Sequence, residues 1–180
     1  IKDRGKAIVE NLLARGIAKR SEDAVIMDLK EYGLDVLVIL KADGSGLYST
    51  SDLALAEAKK KKYPRADRSR VLTDARQSLY FKQLFKTIEL SGWKRPALEH
   101  LAYEFVTLPE GAMSSRLGNV ILYEDVEDEA VRQALKETKK RHPEWTKSKT
   151  ERIARALALA AIKFALLRRN PHQEIVFDIA

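Results

Sequence analysis

Short apolar, β-branched runs alternate with amphipathic helical segments from about residue 4 to residue 108. The helical segments carry apolar residues at i, i+3, i+4 and i+7, as Phe81, Leu84, Phe85 and Ile88 do. The predicted helices span 4–15, 49–62 and 76–90, and the predicted strands span 24–29, 35–42, 70–75 and 98–108. This alternation favours right-handed crossover connections, so the sequence predicts an α/β fold with a mostly parallel sheet.

The pattern changes after about residue 125, where two long helical segments follow one another. The segment 127–141 begins with acidic residues and ends with basic ones, an order that suits the helix dipole. After the interruption "HPEW", a second helix is predicted over 148–169, with one apolar stripe along it. We therefore predict two domains, an α/β part over 1–125 and the start of a helical domain over 126–180.

The net charge and the amino-acid composition indicate which partners and which kinds of binding site are compatible with this sequence. The 180 residues carry a formal net charge of +7, which suits an acidic partner such as nucleic acid or a nucleotide, but also suits solvated lysines on helices. The chain has no cysteine, and its three histidines are widely separated, so the sequence predicts no metal bound by side chains.

Targeting features are not evident in the sequence. No apolar run approaches the ~20 residues that span a bilayer, and no signal peptide is visible, so we expect a cytoplasmic protein without membrane contact. The chain starts at Ile1 and stops within the apolar run "EIVFDIA", as a piece of a longer protein would.

Three polar stretches follow the carboxyl ends of predicted strands, where open α/β sheets bind ligands. They are "DGSGLYSTSD" (43–52), "DARQ" (74–77) and "GAMSSRLGNV" (111–120). If the strands are parallel, all three stretches converge on one edge of the sheet.

The first two stretches offer groups for a cationic ligand. Asp52 can accept a guanidinium through both carboxylate oxygens, the Tyr48 hydroxyl precedes it by four residues, and Gln77 can add an amide contact. Each residue also fits a plain structural role: Asp52 as an acid in the first turn of a helix, Tyr48 at the core edge, and Gln77 at a helix start.

The third stretch has the composition of an anion-binding loop. Gly111 and Gly118 permit unusual backbone angles, Ser114 and Ser115 offer hydroxyl and N–H groups, and Arg116 offers a planar fork for phosphate. Many solvent-exposed loops match the same loose pattern.

The order of these motifs resembles the class I arginyl-tRNA synthetases. The matching stretches are "DGSGLYSTSDLALA", "DARQSLYFKQLF", "LPEGAMSSRLGNV" and "IARALALAAIKFALL", and they cover roughly residues 5–180. The resemblance implies the second half of a Rossmann-like catalytic domain, followed by the first helices of an α-helical anticodon-binding domain.

The resemblance also implies an activity, its substrates and the residues that bind them. Arginine is activated with ATP and Mg²⁺ and is then transferred to the 3′ end of tRNA-Arg, in a parent enzyme that we expect to be a monomer. Tyr48, Asp52 and Gln77 would bind arginine. Met113, Ser114, Ser115 and Arg116 would form the ATP-binding loop, and the last three would stabilise charge on the departing pyrophosphate.

The chain departs from the family pattern at several positions. Ala112 and Ser115 stand where the loop is expected to carry lysines, and Tyr80 stands where histidine is common. These departures keep open an alternative function, a non-enzymatic RNA-binding module or an inactive synthetase paralogue.

Two basic stretches are candidate contacts to the tRNA backbone. Residues 59–70 carry seven Lys or Arg against one acid, and residues 132–155 carry nine against three. Solvated helix faces explain the same lysines equally well. Trp93 and Trp145 are expected to pack rather than to stack on bases.

These 180 residues alone are expected not to activate arginine, because the "HIGH"-type ATP-binding signature of the family is not found in them. Arginine-dependent pyrophosphate exchange, assayed with the 180-residue chain, tests this expectation. Turnover by the isolated chain would contradict it.

Overall fold

The computed structural model describes residues 2–22, 24–107, 111 and 120–176. The helices and strands, in chain order, are α1 (Lys2–Ala14), β1 (Lys19–Ser21), β2 (Ala24–Asp28), β3 (Val36–Leu40), α2 (Tyr48–Lys62), β4 (Arg68–Asp74), α3 (Ser78–Leu90), β5 (Ala97–Tyr103), β6 (Val106–Thr107), α4 (Tyr123–Arg141), α5 (Lys147–Leu167) and β7 (Ile175–Val176). The chain divides into two compact units, Ile1–Ala102 and Tyr103–Ala180.

The first three strands form an antiparallel sheet in the order β1-β2-β3. Gly33 closes the turn between β2 and β3 with a φ of 68°, in the left-handed region that glycine adopts at little cost. Leu29 N donates to Asp35 O across the same turn (2.9 Å). The predicted pair of strands over 24–29 and 35–42 is thus confirmed, while β1 was not predicted.

The strands β4 and β5 pair with each other in a second sheet. Ala97 N donates to Asp67 O (2.9 Å) at the beginning of both strands. Farther along both, Thr73 Oγ1 and His100 Nε2 lie 2.8 Å apart. These two contacts advance in the same sense along each strand, so the strands run in the same direction.

The core of the first unit forms where α1, α2 and α3 pack around β2 and β3. The helical period of three to four residues places Val9 and Leu12 of α1 and Leu84 and Ile88 of α3 on buried faces. The remaining buried apolar residues of this cluster are Ala18, Val25, Met27, Leu29, Leu37, Ile39, Leu53 and Phe81. Leu53, in the first part of α2, belongs to this core.

The second unit contains the helix pair α4 and α5 and a short parallel pairing of β6 with β7. The helix α4 begins at Tyr123, earlier than predicted, because the Asp125 carboxylate accepts a hydrogen bond from Leu122 N and so caps the first turn. Thr138, Thr150, Ala154 and Ala158 are buried between the helices. The predicted strand 98–108 is divided into β5 and β6, and Leu108 lies outside the described residues.

No helix in the part of the chain that the structure describes is long and apolar enough to cross a membrane.

Gly5 allows α1 to approach α2 closely. A Cβ atom added at this buried position would lie 2.4 Å from Thr50 O and 2.9 Å from the Thr50 methyl group. Backbone atoms cannot move aside as the end of a flexible side chain can, so the site excludes any side chain. This close approach depends on the absence of a Cβ.

The substitution Gly5→Ala is expected to lower the free energy of unfolding by about 1–3 kcal/mol through overpacking. The sign of this change in the free energy of unfolding distinguishes close packing from an open site, because Gly→Ala in a helix otherwise adds about 1 kcal/mol of stability. Lys6→Ala, at an exposed position of α1, is the matched control and is expected to change stability by no more than about 0.5 kcal/mol. Urea unfolding measures both, and a stabilised Gly5→Ala variant would contradict the close packing.

Candidate functional site

The connection from β3 to α2 is an ordered turn. Asp43 Oδ1 accepts a hydrogen bond from Ser45 N (2.8 Å), Lys41 N donates to Ser45 O (3.1 Å), and Gly44 adopts a φ of 73°. Leu40 and Gly46 form an antiparallel bridge just beyond this turn. The "DGSG" stretch therefore folds back on the end of β3 and leads directly into the start of α2.

Two hydroxyl groups anchor the first turn of α2 to β3. Ser49 Oγ donates to Val38 O (2.8 Å), and Thr50 Oγ1 donates to Ile39 O. The Thr50 hydroxyl also accepts from Leu47 N (2.8 Å), which satisfies an N–H group before the helix. Both side chains are buried, and the bonds leave the start of α2 little freedom to rotate about its axis.

This orientation of α2 turns Tyr48 to the exposed side of the helix and leaves Asp52 at the border of the buried side. Residues four apart lie on one face of a helix, so the predicted pair shares a face. Tyr48 is 89% exposed, while Asp52 is half-buried. The exposed Tyr48 hydroxyl and the half-buried Asp52 carboxylate therefore lie one helical turn apart.

Gln77 is exposed, and its side chain bonds to a neighbouring residue of its own segment. Its Nε2 donates to Asp74 Oδ2 (3.3 Å) at the end of β4. Asp74 Oδ1 accepts from Arg76 N (3.0 Å) and from Arg76 Nε (3.1 Å), and the bond from the Arg76 side chain lowers the pKa of the Asp74 carboxyl. Of the three predicted arginine-binding residues, two share a face and the third is held by its own neighbours.

Tyr80 connects the two parts of the site, and sequence reasoning gave it no role. Its hydroxyl donates to Asp52 Oδ2 at 2.6 Å, which joins the start of α3 to the start of α2. Burial, followed by the hydrogen bond to Asp52, raises the pKa of the Tyr80 phenol. The available clue was its spacing, since Tyr80 follows Gln77 by three residues in a predicted helix.

A cavity of about 270 Å³ lies between α2, α3 and the β4–β5 pair. Most of its lining is apolar, including Phe81, Leu84 and Trp93, and its charged lining residues are Asp52 and Lys59. An apolar neighbourhood strengthens the attraction between a carboxylate and a cation, because water screens the charges less. The Asp52 carboxylate is therefore in a setting that favours binding of a positive group.

The predicted ATP-binding residues Met113, Ser114, Ser115 and Arg116 lie outside the described residues, as does Ala112. Within residues 2–22, 24–107, 111 and 120–176, no group of three or more His, Cys, Asp or Glu side chains could hold a metal ion.

A basic and aromatic cleft lies at the far end of α2. It has a volume of about 430 Å³, and Lys60, Lys61, Tyr63, Trp93 and Arg95 are among the residues that line it. Lys60 Nζ lies 4.3 Å from the centre of the Trp93 ring, in cation–π contact. Trp93 also packs against the core of the first unit, as the sequence predicted.

The other basic stretch is partly neutralised along its helices. Arg132 bonds to Glu129, Arg141 Nε lies 3.3 Å from Glu137, and Lys147 Nζ lies 3.9 Å from Glu151. Trp145 stacks on His142 at 3.9 Å, which agrees with a packing role. Ion pairs also join Lys61 to Glu57 and Arg68 to Glu99 in the first stretch, so the cleft at the end of α2 is a candidate for an anionic partner because Lys60, Lys61 and Arg95 line one concave surface.

Known proteins resemble this chain along nearly its whole length. The family profile described as tRNA synthetases class I (R), catalytic domain, matches residues 1–179. An arginine–tRNA ligase of Clostridium acetobutylicum is 36% identical over 178 residues, which cover 98% of this chain and 31% of that protein. An arginine–tRNA ligase of Bdellovibrio bacteriovorus is 38% identical over 178 residues, covering 96% and 30%.

The fold has a counterpart among solved structures. The crystal structure of the arginyl-tRNA synthetase from Plasmodium falciparum matches with a TM-score of 0.76 and 18% identity, over 97% of this chain and 29% of that one. This likeness confirms the predicted fold class, a Rossmann-like α/β fragment followed by helices. The chain spans about a third of the length of the curated relatives that it matches.

Proposed function

Because the chain belongs to the family of class I tRNA synthetase catalytic domains for arginine, we propose that it is part of an arginine–tRNA ligase. The parent enzyme would activate arginine with ATP and transfer it to the 3′ end of tRNA-Arg. The observation that carries this proposal is the half-buried Asp52 carboxylate, held by Tyr80 one helical turn from the exposed Tyr48 hydroxyl. The alternative of a non-enzymatic module is not favoured, since the matched relatives are ligases.

Arginine recognition rests on the charge and shape of its guanidinium group. The Asp52 carboxylate would accept the planar fork, as carboxylates do in bidentate pairs. The Tyr48 ring would lie beside the same group, with its hydroxyl facing the polar part of the substrate. Gln77 would join the site after exchanging its bond to Asp74 for one to the substrate.

ATP use is typical of the family, and we assign its phosphates to the loop of Met113, Ser114, Ser115 and Arg116 on sequence grounds. Backbone N–H groups, the two hydroxyls and the Arg116 guanidinium would stabilise the charge that develops on the departing pyrophosphate. Mg²⁺ would enter with ATP rather than through side-chain ligands.

tRNA binding is assigned to the cleft at the end of α2, which Lys60, Lys61 and Arg95 line. Neutralised phosphates release counterions, so such a surface gives a salt-dependent affinity.

We also propose that the chain after about residue 125 begins the helical anticodon-binding domain. ATP and tRNA are cytoplasmic substrates, and we place the parent enzyme there as a monomer.

Replacing Asp52 by Asn keeps the shape of the side chain and removes its charge. In the complete gene product, the arginine KM in pyrophosphate exchange is expected to rise about tenfold to a hundredfold, since a hydrogen bond to a charged group contributes about 1.5–3 kcal/mol. The KM for ATP is expected to stay within about twofold, because the substitution leaves the phosphate loop unchanged.

Asp3→Asn, at an exposed position of α1, is the matched control and is expected to leave both constants unchanged. If the Asp52→Asn enzyme has the same arginine KM as the wild type, Asp52 does not bind the guanidinium.

The basic cleft is tested by removing two exposed charges from its lining, as in the double variant Lys61→Gln/Arg95→Gln. We expect weaker tRNA-Arg binding, and a slope of log affinity against log salt that falls by about 1 for each phosphate that the variant no longer neutralises. Fluorescence anisotropy at several salt concentrations measures both quantities. Lys6→Gln on α1 is the control, and a double variant with the same slope as this control would exclude the cleft.

A further inference from the structure

We propose that Tyr80 is a positioning residue for arginine recognition, whose hydroxyl holds the Asp52 carboxylate in the orientation that receives the guanidinium. This inference rests on the proposed function and adds to it a residue that does not touch the substrate. The direct observation is the 2.6 Å hydrogen bond from Tyr80 Oη to Asp52 Oδ2, between two helices and across 28 positions of sequence.

A tyrosine hydroxyl orients a carboxylate without neutralising it. Within the described residues, Asp52 has no Lys, Arg or His within ion-pair distance, whereas Glu57, Asp74 and Glu99 each bond to an arginine. A cationic partner in place of Tyr80 would cancel the charge that attracts a guanidinium. A neutral donor leaves the full negative charge for a ligand, and this distinguishes Asp52 from a structural ion pair.

The geometry leaves one side of the carboxylate for a second partner. Tyr80 occupies a position on Oδ2, and no other hydrogen bond to Asp52 comes from the residues that the structure describes. Oδ1 and the second lone pair of Oδ2 can then accept the two N–H groups of a guanidinium fork. A carboxylate fixed in advance loses less rotational freedom when the ligand binds, so affinity rises.

Tyr80 is itself held firmly enough to act in this way. Its ring meets the buried Phe81 ring edge to face, with centroids 5.1 Å apart, and packs against the core of the first unit. Burial and the neighbouring carboxylate raise the pKa of its phenol above the ordinary value near 10. The group therefore stays protonated, and remains a donor, throughout the neutral pH range.

The test compares two replacements at position 80 in the complete gene product. Tyr80→Phe removes the donor and keeps the ring, while 4-aminophenylalanine at the same position restores a neutral N–H donor. Tyr32→Phe, at an exposed tyrosine that does not bond to Asp52, is the matched control. Arginine-dependent pyrophosphate exchange gives kcat and the KM values for arginine and ATP, and thermal unfolding is measured alongside.

We expect Tyr80→Phe to raise the arginine KM about tenfold, the factor of one hydrogen bond, with kcat and the ATP KM within about twofold. The amino variant is expected to restore most of the arginine affinity, and Tyr32→Phe to match the wild type. An unchanged arginine KM in Tyr80→Phe overturns the inference. So does a joint decrease of kcat, ATP affinity and thermal stability, or a failure to fold, because a purely structural bond predicts that result.

The two proposals fail in different ways. A wild-type protein that shows no arginine-dependent exchange overturns the proposed function, and this inference falls with it. If the wild type is active and Tyr80→Phe has the same arginine KM as the wild type, the inference about Tyr80 is wrong but the proposed function is unaffected.

Discussion

The bonds from Ser49 and Thr50 to the backbone of β3 decide how α2 is oriented, and the candidate site depends on that orientation. The two hydroxyls donate to consecutive carbonyl groups, Val38 O and Ile39 O, and the Thr50 hydroxyl also accepts from the backbone before the helix. With these residues turned inward, the helical period turns Tyr48 outward and places Asp52 at the border of the buried side. Gly5 supports the same arrangement by bringing α1 against Thr50 without an intervening side chain.

The electrostatics of the site follow from its position at the edge of the core. Asp52 is half-buried beside a largely apolar cavity, yet its contact at hydrogen-bond distance is a neutral phenol. Elsewhere in the same unit, Glu99 is held between Arg68 and Arg70, and this pairing lowers the pKa of its carboxyl. A carboxylate that bonds to a neutral donor in a partly apolar setting is suited to a cationic ligand, and a planar guanidinium matches its two oxygens.

Hydrophobic periodicity was enough to predict most helices and strands, because burial of one face dictates the spacing of apolar residues. It predicted α3 from Phe81, Leu84 and Ile88, and the strands on either side of Gly33. It did not predict β1, whose residues are all exposed and leave no apolar pattern. Periodicity also does not predict the hydrogen bond between Tyr80 and Asp52, because packing and not local sequence sets a contact between two helices. Motif order located Tyr48, Asp52 and Gln77, but only the structure separated Gln77, held by Asp74, from the other two.

We propose that the start of α2 binds the guanidinium of arginine through Asp52. A crystal structure of the complete gene product with bound arginine would show whether this claim holds. We predict a guanidinium nitrogen about 2.7–2.9 Å from Asp52 Oδ1, with the Tyr80 bond to Oδ2 retained and the Tyr48 ring beside the ligand. Arginine bound with its guanidinium on another carboxylate, and Asp52 still bonded to Tyr80 alone, would contradict the claim.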